Sequence, residues 1–145
     1  MLALNAAHVT ETGPLDQAAL DTLLAEATRA TVAEPEAGFL LALAPTARIE
    51  GPNVRWFRHR MDDFLYVDRV AVAPAARGRG VARALHADIA ASARGLGLRA
   101  LVVEVNIAPR NPASLAFHQR ERFVPVGEAH LADRGRTVRY LRKPL

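Results

Sequence analysis

The stretch Arg77-Gly78-Arg79-Gly80-Val81-Ala82 is the one whose residue types most plainly suit binding an anion. It follows a strand-like run, Phe64 to Ala73, and opens a helix-like run at Val81. A helix N-terminus has orphan N–H donors and a partial positive charge, so a glycine-rich turn there can cradle a phosphate. A second group is Asn111, Ser114 and His118. Their spacing of i, i+3, i+7 puts them on one face of a helix that Asn111 would cap. Histidine exchanges a proton near neutral pH. A third candidate is Glu104, at the end of an apolar run. A carboxylate there could take a proton from an amine through a water, or pair with one of many arginines.

These residues need elements to position them. Leu2 to Thr10 reads as a first strand, broken by Gly13-Pro14. Leu15 to Val32 reads as a helix, with Leu20, Leu23, Leu24 and Ala27 at helical spacing and Asp16 and Asp21 in its first turns. Pro35 and Gly38 interrupt, and Phe39 to Leu43 is a short apolar run expected to be a buried strand. Pro45 to Pro52 is a loop. Asn53 to Arg60 is ambiguous, with Asn53 able to cap a short helix. Phe64 to Ala73 is a strand by its alternation and its valines. Gly80 to Leu96 is a helix with Val81, Leu85, Ile89 and Ala93 in a stripe, ended by Gly95 and Gly97. Ala100 to Val105 is a strand, and a helix runs from Asn111 to about Arg120. Val124 to Leu131 and Thr137 to Leu141 are a closing pair of strands around Asp133-Arg134-Gly135. This order predicts an α/β fold with a mixed, mostly antiparallel sheet flanked by helices.

The 145 residues fit one domain, 1–145, and half are hydrophobic. There is no cysteine, which excludes disulfides and thiolate metal sites, and no metal is expected. The N-terminus shows no signal peptide, and no run approaches the roughly 20 apolar residues that span a membrane. A cytoplasmic protein without a membrane partner is expected. The net charge is +4, and Lys143 is the one lysine among 19 basic residues. Arginine suits phosphate contacts, which makes nucleic acid a candidate partner. The arginines form no long block, and no nucleic-acid partner is expected.

The string Val70-Ala71-Val72-Ala73-Pro74, then Arg77-Gly78-Arg79-Gly80-Val81-Ala82, resembles the signature of the GNAT superfamily of acetyl-CoA-dependent N-acyltransferases. Arg77, Gly80 and Ala82 fill the three positions of its Gln/Arg-x-x-Gly-x-Gly/Ala motif. The resemblance covers Phe39 to the C-terminus. The strings Asn-x-x-Trp-Phe, Tyr-Val-Asp-Arg-Val, Asn-Pro-x-Ser-x-x-Phe-His and Thr-Val-Arg-Tyr-Leu are similar to those of a small bacterial subfamily assigned only as acetyltransferases.

The resemblance implies acetyl-CoA as co-substrate and no metal. Its pyrophosphate would lie on the N–H groups of Gly78, Arg79, Gly80, Val81, Ala82 and Arg83. Its pantetheine arm would pair with the backbone of Val70, Ala71 and Val72, in a gap opened at a bulge. The Val72 N–H would stabilise the thioester oxyanion. The resemblance also implies cofactor contacts from Asn111, Ser114 and Phe117, and Glu104 as general base. His118 stands where the family has a tyrosine that protonates the thiolate. The loop from Glu104 to Asn111 is also longer than the family's. Tyr66, Asp68 and Trp56 fall where the family meets its acceptor, a small-molecule or peptide amine; core packing explains Trp56 and Phe57 equally. A homodimer is the implied assembly. The expected activity is acetyl transfer to a primary amine by direct attack. An acyl-CoA sensor or pseudo-enzyme without turnover remains the alternative, because the tyrosine is absent.

Overall fold

The computed structural model describes residues 1–33 and 36–145. The strands are β1 Arg29–Ala33, β2 Gly38–Leu43, β3 Phe64–Val72, β4 Ala100–Ala108, β5 Val124–Leu131 and β6 Arg136–Pro144. They form one sheet in the order β1-β2-β3-β4-β6-β5. Neighbours are antiparallel except β3 and β4, which run parallel. The helices are α1 Leu2–Ala6, α2 Val9–Thr12, α3 Gln17–Glu26, α4 Pro52–Arg58, α5 Val81–Gly95 and α6 Pro112–Arg120. The mixed, mostly antiparallel α/β architecture expected from the element order is borne out. Among the described residues no helix is long and apolar enough to cross a membrane.

Both faces of the sheet are covered. Leu20 and Leu23 of α3 and Val54 and Phe57 of α4 pack on Phe39, Leu41, Tyr66 and Tyr140, with Leu2 and Leu4 of α1 at the margin. On the opposite face Leu85, Ile89 and Ala93 of α5 and Leu115 of α6 pack on Leu40, Leu65, Leu101 and Val103. Successive side chains of a strand point to opposite faces, so β2 has to be apolar throughout. Each of its six residues is buried.

Two expected elements at the N-terminus are corrected. Leu2 to Thr10 is not a strand but the two short helices α1 and α2. Two alternating leucines are a short signal, and Ala3, Ala6 and Ala7 favour helix. The long helix expected over Leu15 to Val32 stops at Glu26, and Arg29–Ala33 forms the edge strand β1. Its apolar stripe had ended at Ala27, after which Thr28, Thr31 and Val32 bring β-branched residues. The Thr28 N–H donates to the Ala42 carbonyl, which starts the pairing with β2. Asp16 caps α3 by accepting from the Ala19 N–H at 2.8 Å. The break placed at Pro35 lies outside the described residues. The ambiguous segment is α4, capped by Gly51 with Pro52 in its first turn rather than by Asn53. The other elements fall within a few residues of expectation, and Asn111 caps α6 by accepting from the Ser114 N–H at 3.2 Å.

The sheet opens in its middle. β3 and β4 pair only where Phe64–Tyr66 meets Ala100–Val102. A bulge against β2 leaves Asp68 as the extra residue between Val67 and Arg69. Tyr66 and Ala71 both belong to the cluster on the α3–α4 face. Counting two back from Ala71 and two on from Tyr66 turns Arg69 and Asp68 to that same face. Past the bulge, the Ala73 N–H donates to the Ala37 carbonyl on the β2 side. Alternation therefore aims the backbone groups of Val72 and Val70 into the gap.

Candidate active site

The glycine-rich turn lies at the N-terminus of α5. Gly78 and Gly80 have φ of +71° and +80°, a region that other residues enter only with strain. Gly80 is the N-cap and offers no side chain. None of the six backbone N–H groups from Gly78 to Arg83 finds an acceptor among the described residues. The turn from Arg77 to Gly80 is exposed. Arg83 reaches Glu121 at 3.5 Å, which leans its side chain towards α6.

A cavity of about 590 Å³ runs through the gap between β3 and β4. On the α5–α6 side it is lined by Val67, Val103, Asn111, Ser114 and His118. On the other side it is lined by Asn53, Asp68, Glu104 and Asn106, by Glu11 to Pro14, and by Arg134 and Arg136. The opened sheet thus joins its two faces at one point. Tyr66 donates its hydroxyl to Glu104 at 2.8 Å.

Glu104 is partly buried at the centre of this passage. Burial pushes its carboxyl up to about 7, and the nearby Asp68 adds to this, while the Tyr66 hydroxyl opposes it. A group balanced there can both take and release a proton near neutrality. The Tyr66 hydroxyl is held well above its ordinary value, by burial first and by Glu104 second, and stays protonated. Asp68 is neutralised by Arg69 at 2.8 Å, and Arg69 is held in turn by Asn5 at 3.0 Å.

His118 is buried in a cluster with His86, Phe117 and Phe123. Its Nδ1 lies 2.8 Å from the Ser114 carbonyl, an acceptor, so the proton sits on Nδ1. Nε2 is then a bare lone pair, buried and without a partner. Burial, reinforced by His86, pushes this imidazole down to about 4 despite the Ser114 contact. It is neutral at pH 7.

The structure brings Tyr66, Asp68, Glu104, Asn111, Ser114 and His118 to one passage, with Val70 on its wall. It places Trp56 and Phe117 elsewhere. Trp56 stacks on Tyr140 with centroids 4.1 Å apart, under the Arg60 guanidinium. Phe117 packs edge-on against His86 at 5.0 Å. Sequence reasoning missed Asn106, Arg136 and His8. Asn106 and Arg136 carry a signal in retrospect, because they lie at even spacing from Glu104 and Tyr140 along their strands. His8 had none. Its Nε2 lies 3.1 Å from the Val72 carbonyl at the edge of the gap, and its Nδ1 lies 3.5 Å from Arg77.

Among curated proteins none matches the chain significantly. Solved structures do match. Ard1 from Thermoplasma volcanium is 16% identical, with a TM-score of 0.72 over 100% of this chain and 88% of that one. A protein described as a streptothricin acetyltransferase of Bacillus anthracis, solved in complex with acetyl coenzyme A, is 16% identical, with a TM-score of 0.59 over 75% of this chain and 56% of that one. Nourseothricin acetyltransferase is 25% identical, with a TM-score of 0.58 over 79% of this chain and 62% of that one. The chain spans about three fifths of the length of several such relatives. The family model for the acetyltransferase (GNAT) family matches residues 11–122. That match covers most of the chain, from α2 to the end of α6, and the chain belongs to the GNAT acetyltransferase family.

Proposed function

We propose that the chain transfers an acetyl group from acetyl-CoA to a primary amine within the passage between β3 and β4. The observation that carries this reading is the run of six N–H groups at Gly78 to Arg83 that have no acceptor among the described residues, in the turn that follows β3, the strand whose Val67 to Val70 line the passage. Such a cradle fits a pyrophosphate, and the gap-facing backbone of Val70 and Val72 fits an amide-bearing arm. Acetyl-CoA supplies the activated acyl group as a thioester. Asn111 and Ser114 would steady it from the α6 side. Glu104 would draw a proton from the incoming ammonium, directly or through a water. The amine nitrogen then bonds to the acetyl carbon, the carbon–sulfur bond breaks, and one proton reaches the sulfur. Amide and free CoA are the products. Holding the two reactants on opposite faces of one opening supplies much of the rate.

His118 would pass the proton to sulfur. Its only N–H is tied to the Ser114 carbonyl and the ring is neutral, so it has to receive a proton at Nε2 before it can give one. The same observation favours the second reading, an acyl-CoA sensor that binds without turnover. Thiol release from acetyl-CoA over a panel of primary amines decides between them. The expected result is amine-dependent release that rises with pH through about 7, as Glu104 ionises. Glu104→Gln is expected to lower it roughly 10²- to 10⁴-fold. Release by Glu104→Gln equal to the parent's would remove Glu104 from the chemistry, and no release with any amine would leave the sensor.

A further inference from the structure

Arg136 opens β6 on the face of the sheet that carries Glu104. β6 pairs with β4 so that Tyr140 lies opposite Glu104 and Val138 opposite Asn106. Residues 136, 138 and 140 alternate onto one face, and Tyr140 and Val138 belong to the α3–α4 side. Four residues of strand put the Arg136 Cα about 13 Å from that of Tyr140. The guanidinium therefore reaches into the same passage as Glu104, from its outer end. Arg134 lines the passage beside it, from the turn Ala132–Arg134 that joins β5 to β6.

Among the described residues several surface arginines are unpaired as well, but Arg134 and Arg136 line the passage, and Arg136 has a nitrogen shut away from water. Arg29, Arg69 and Arg139 each hold a carboxylate within hydrogen-bond distance. Among the described residues neither Arg134 nor Arg136 makes an ion pair or a side-chain hydrogen bond. The Nε of Arg136 is buried and unpaired. Arg58 also has a buried, unpaired Nε, but its other nitrogens donate to the Ile49 and Ala47 carbonyls. Glu11 lines the passage as well and pairs with neither arginine. A buried charged donor left unmatched is costly to a fold, and a planar guanidinium is the side chain best shaped to take a carboxylate or phosphate in two parallel bonds.

We propose that the acceptor is a primary amine that also carries an anionic group, a carboxylate or a phosphate, held by Arg136 and Arg134 while its amino end reaches Glu104. This rests on the acetyl-transfer reading above. The amine end meets the carboxylates of the passage and the anionic end meets its unpaired arginines. A cationic or neutral amine would leave the buried Nε of Arg136 unanswered. The anion takes no part in the bond changes and orients the amine.

The test compares matched acceptors with acetyl-CoA. One series sets ω-amino carboxylates of three to six carbons against their carboxamides. The other sets aminoalkyl phosphates against the corresponding aminoalkyl alcohols. The parent is expected to prefer the anionic member at least tenfold in kcat/KM, and the series with the larger ratio names the anion. In Arg136→Gln that ratio falls towards one, through a raised KM for the anionic acceptor. Arg136→Lys, which keeps a cation in the same place, recovers part of it. Equal use of both members by the parent overturns the proposal, as does a preference that survives Arg136→Gln. If no amine is acetylated, the transfer reading fails by itself. Calorimetric binding of the same amines to acetyl-CoA-loaded protein then decides. Binding of the anionic member that weakens tenfold in Arg136→Gln supports the subsite, and no binding, or binding unaffected by Arg136→Gln, refutes it.

Discussion

Two ionisable groups of the passage are displaced in ways that spacing along the chain does not reveal. Sequence alone picks out Glu104 and His118, because a carboxylate closes the expected strand Ala100 to Val105, which in the structure runs on to Ala108, and a histidine sits on a capped helix. It does not show that burial lifts Glu104 to about 7 or drops His118 to about 4, since both depend on what packs around them. Nor does it show that His118 has a twin. His86 bonds the Ala82 carbonyl through Nδ1 at 2.8 Å and leaves Nε2 buried and bare, with its ring 5.4 Å from that of His118. Burial also pushes His86 down to about 4. An unfolded histidine titrates near 6.5, so between pH 6.5 and about 4 the unfolded chain binds protons that the folded pair refuses. The stability owed to the neutral pair is complete above pH 6.5 and is lost as pH falls towards 4. Glu104, lifted instead, acts with the opposite sign between about 7 and 4.5. Thermal unfolding across pH 4.5 to 7 isolates the histidine part when parent and His86→Phe are compared. The parent should lose more stability on acidification than His86→Phe does. Parallel slopes would mean that His86 is not held neutral by its burial.

Elements with strong, sustained patterns were legible: β2 from its unbroken apolar run, α5 from its stripe and flanking glycines, α6 from Asn111, and the β5–β6 pair from its turn. Those that depend on a partner were not. β1 exists because β2 offers it an edge, and α1 and α2 are short helices that borrow their order from the sheet they lie on. A bulge in β3 was expected only through family resemblance; its place at Asp68 and its consequence, two successive charged residues on one face, emerge from the register. A further tertiary detail is the contact between α4 and β5. A Cβ built on Gly127 would run into Trp56, at Cζ2 and, at 2.8 Å, Cη2. Trp56 has little room to yield, being stacked on Tyr140 and edge-on to Phe57 at 5.2 Å. Overpacking of this kind costs about 1–3 kcal/mol. Gly127→Ala is therefore expected to lower stability by that amount in urea unfolding. A loss below a few tenths of a kcal/mol would show that the indole moves freely.

At the scale of the whole molecule, one opening in the sheet organises everything else. Among the described residues four antiparallel pairings and one short parallel pairing join the strands into the sheet, and where β3 and β4 part, the two faces communicate. The glycine turn and α6 serve the opening from one side. The N-terminal segment, α4 and the β5–β6 turn serve it from the other. Family resemblance pointed to the first side by motif, since Arg77 to Ala82 and Asn111 to His118 are contiguous strings. The second side is assembled from Asn5, His8, Asn53, Asn106, Arg134 and Arg136, which come together only when the chain folds; strand alternation gives a local sign of Asn106 and Arg136 alone. In the proposed function acetyl-CoA lies on the Gly78–Arg83 cradle and along the gap edge of β3. Amide hydrogen exchange with and without acetyl-CoA tests this, because the cradle N–H groups have no acceptor among the described residues that would slow their exchange in the absence of a ligand. Acetyl-CoA is expected to slow exchange at Gly78 to Arg83 and at Val70 and Val72. Unchanged exchange at these amides with acetyl-CoA at saturation, or protection confined to other parts of the chain, would contradict it.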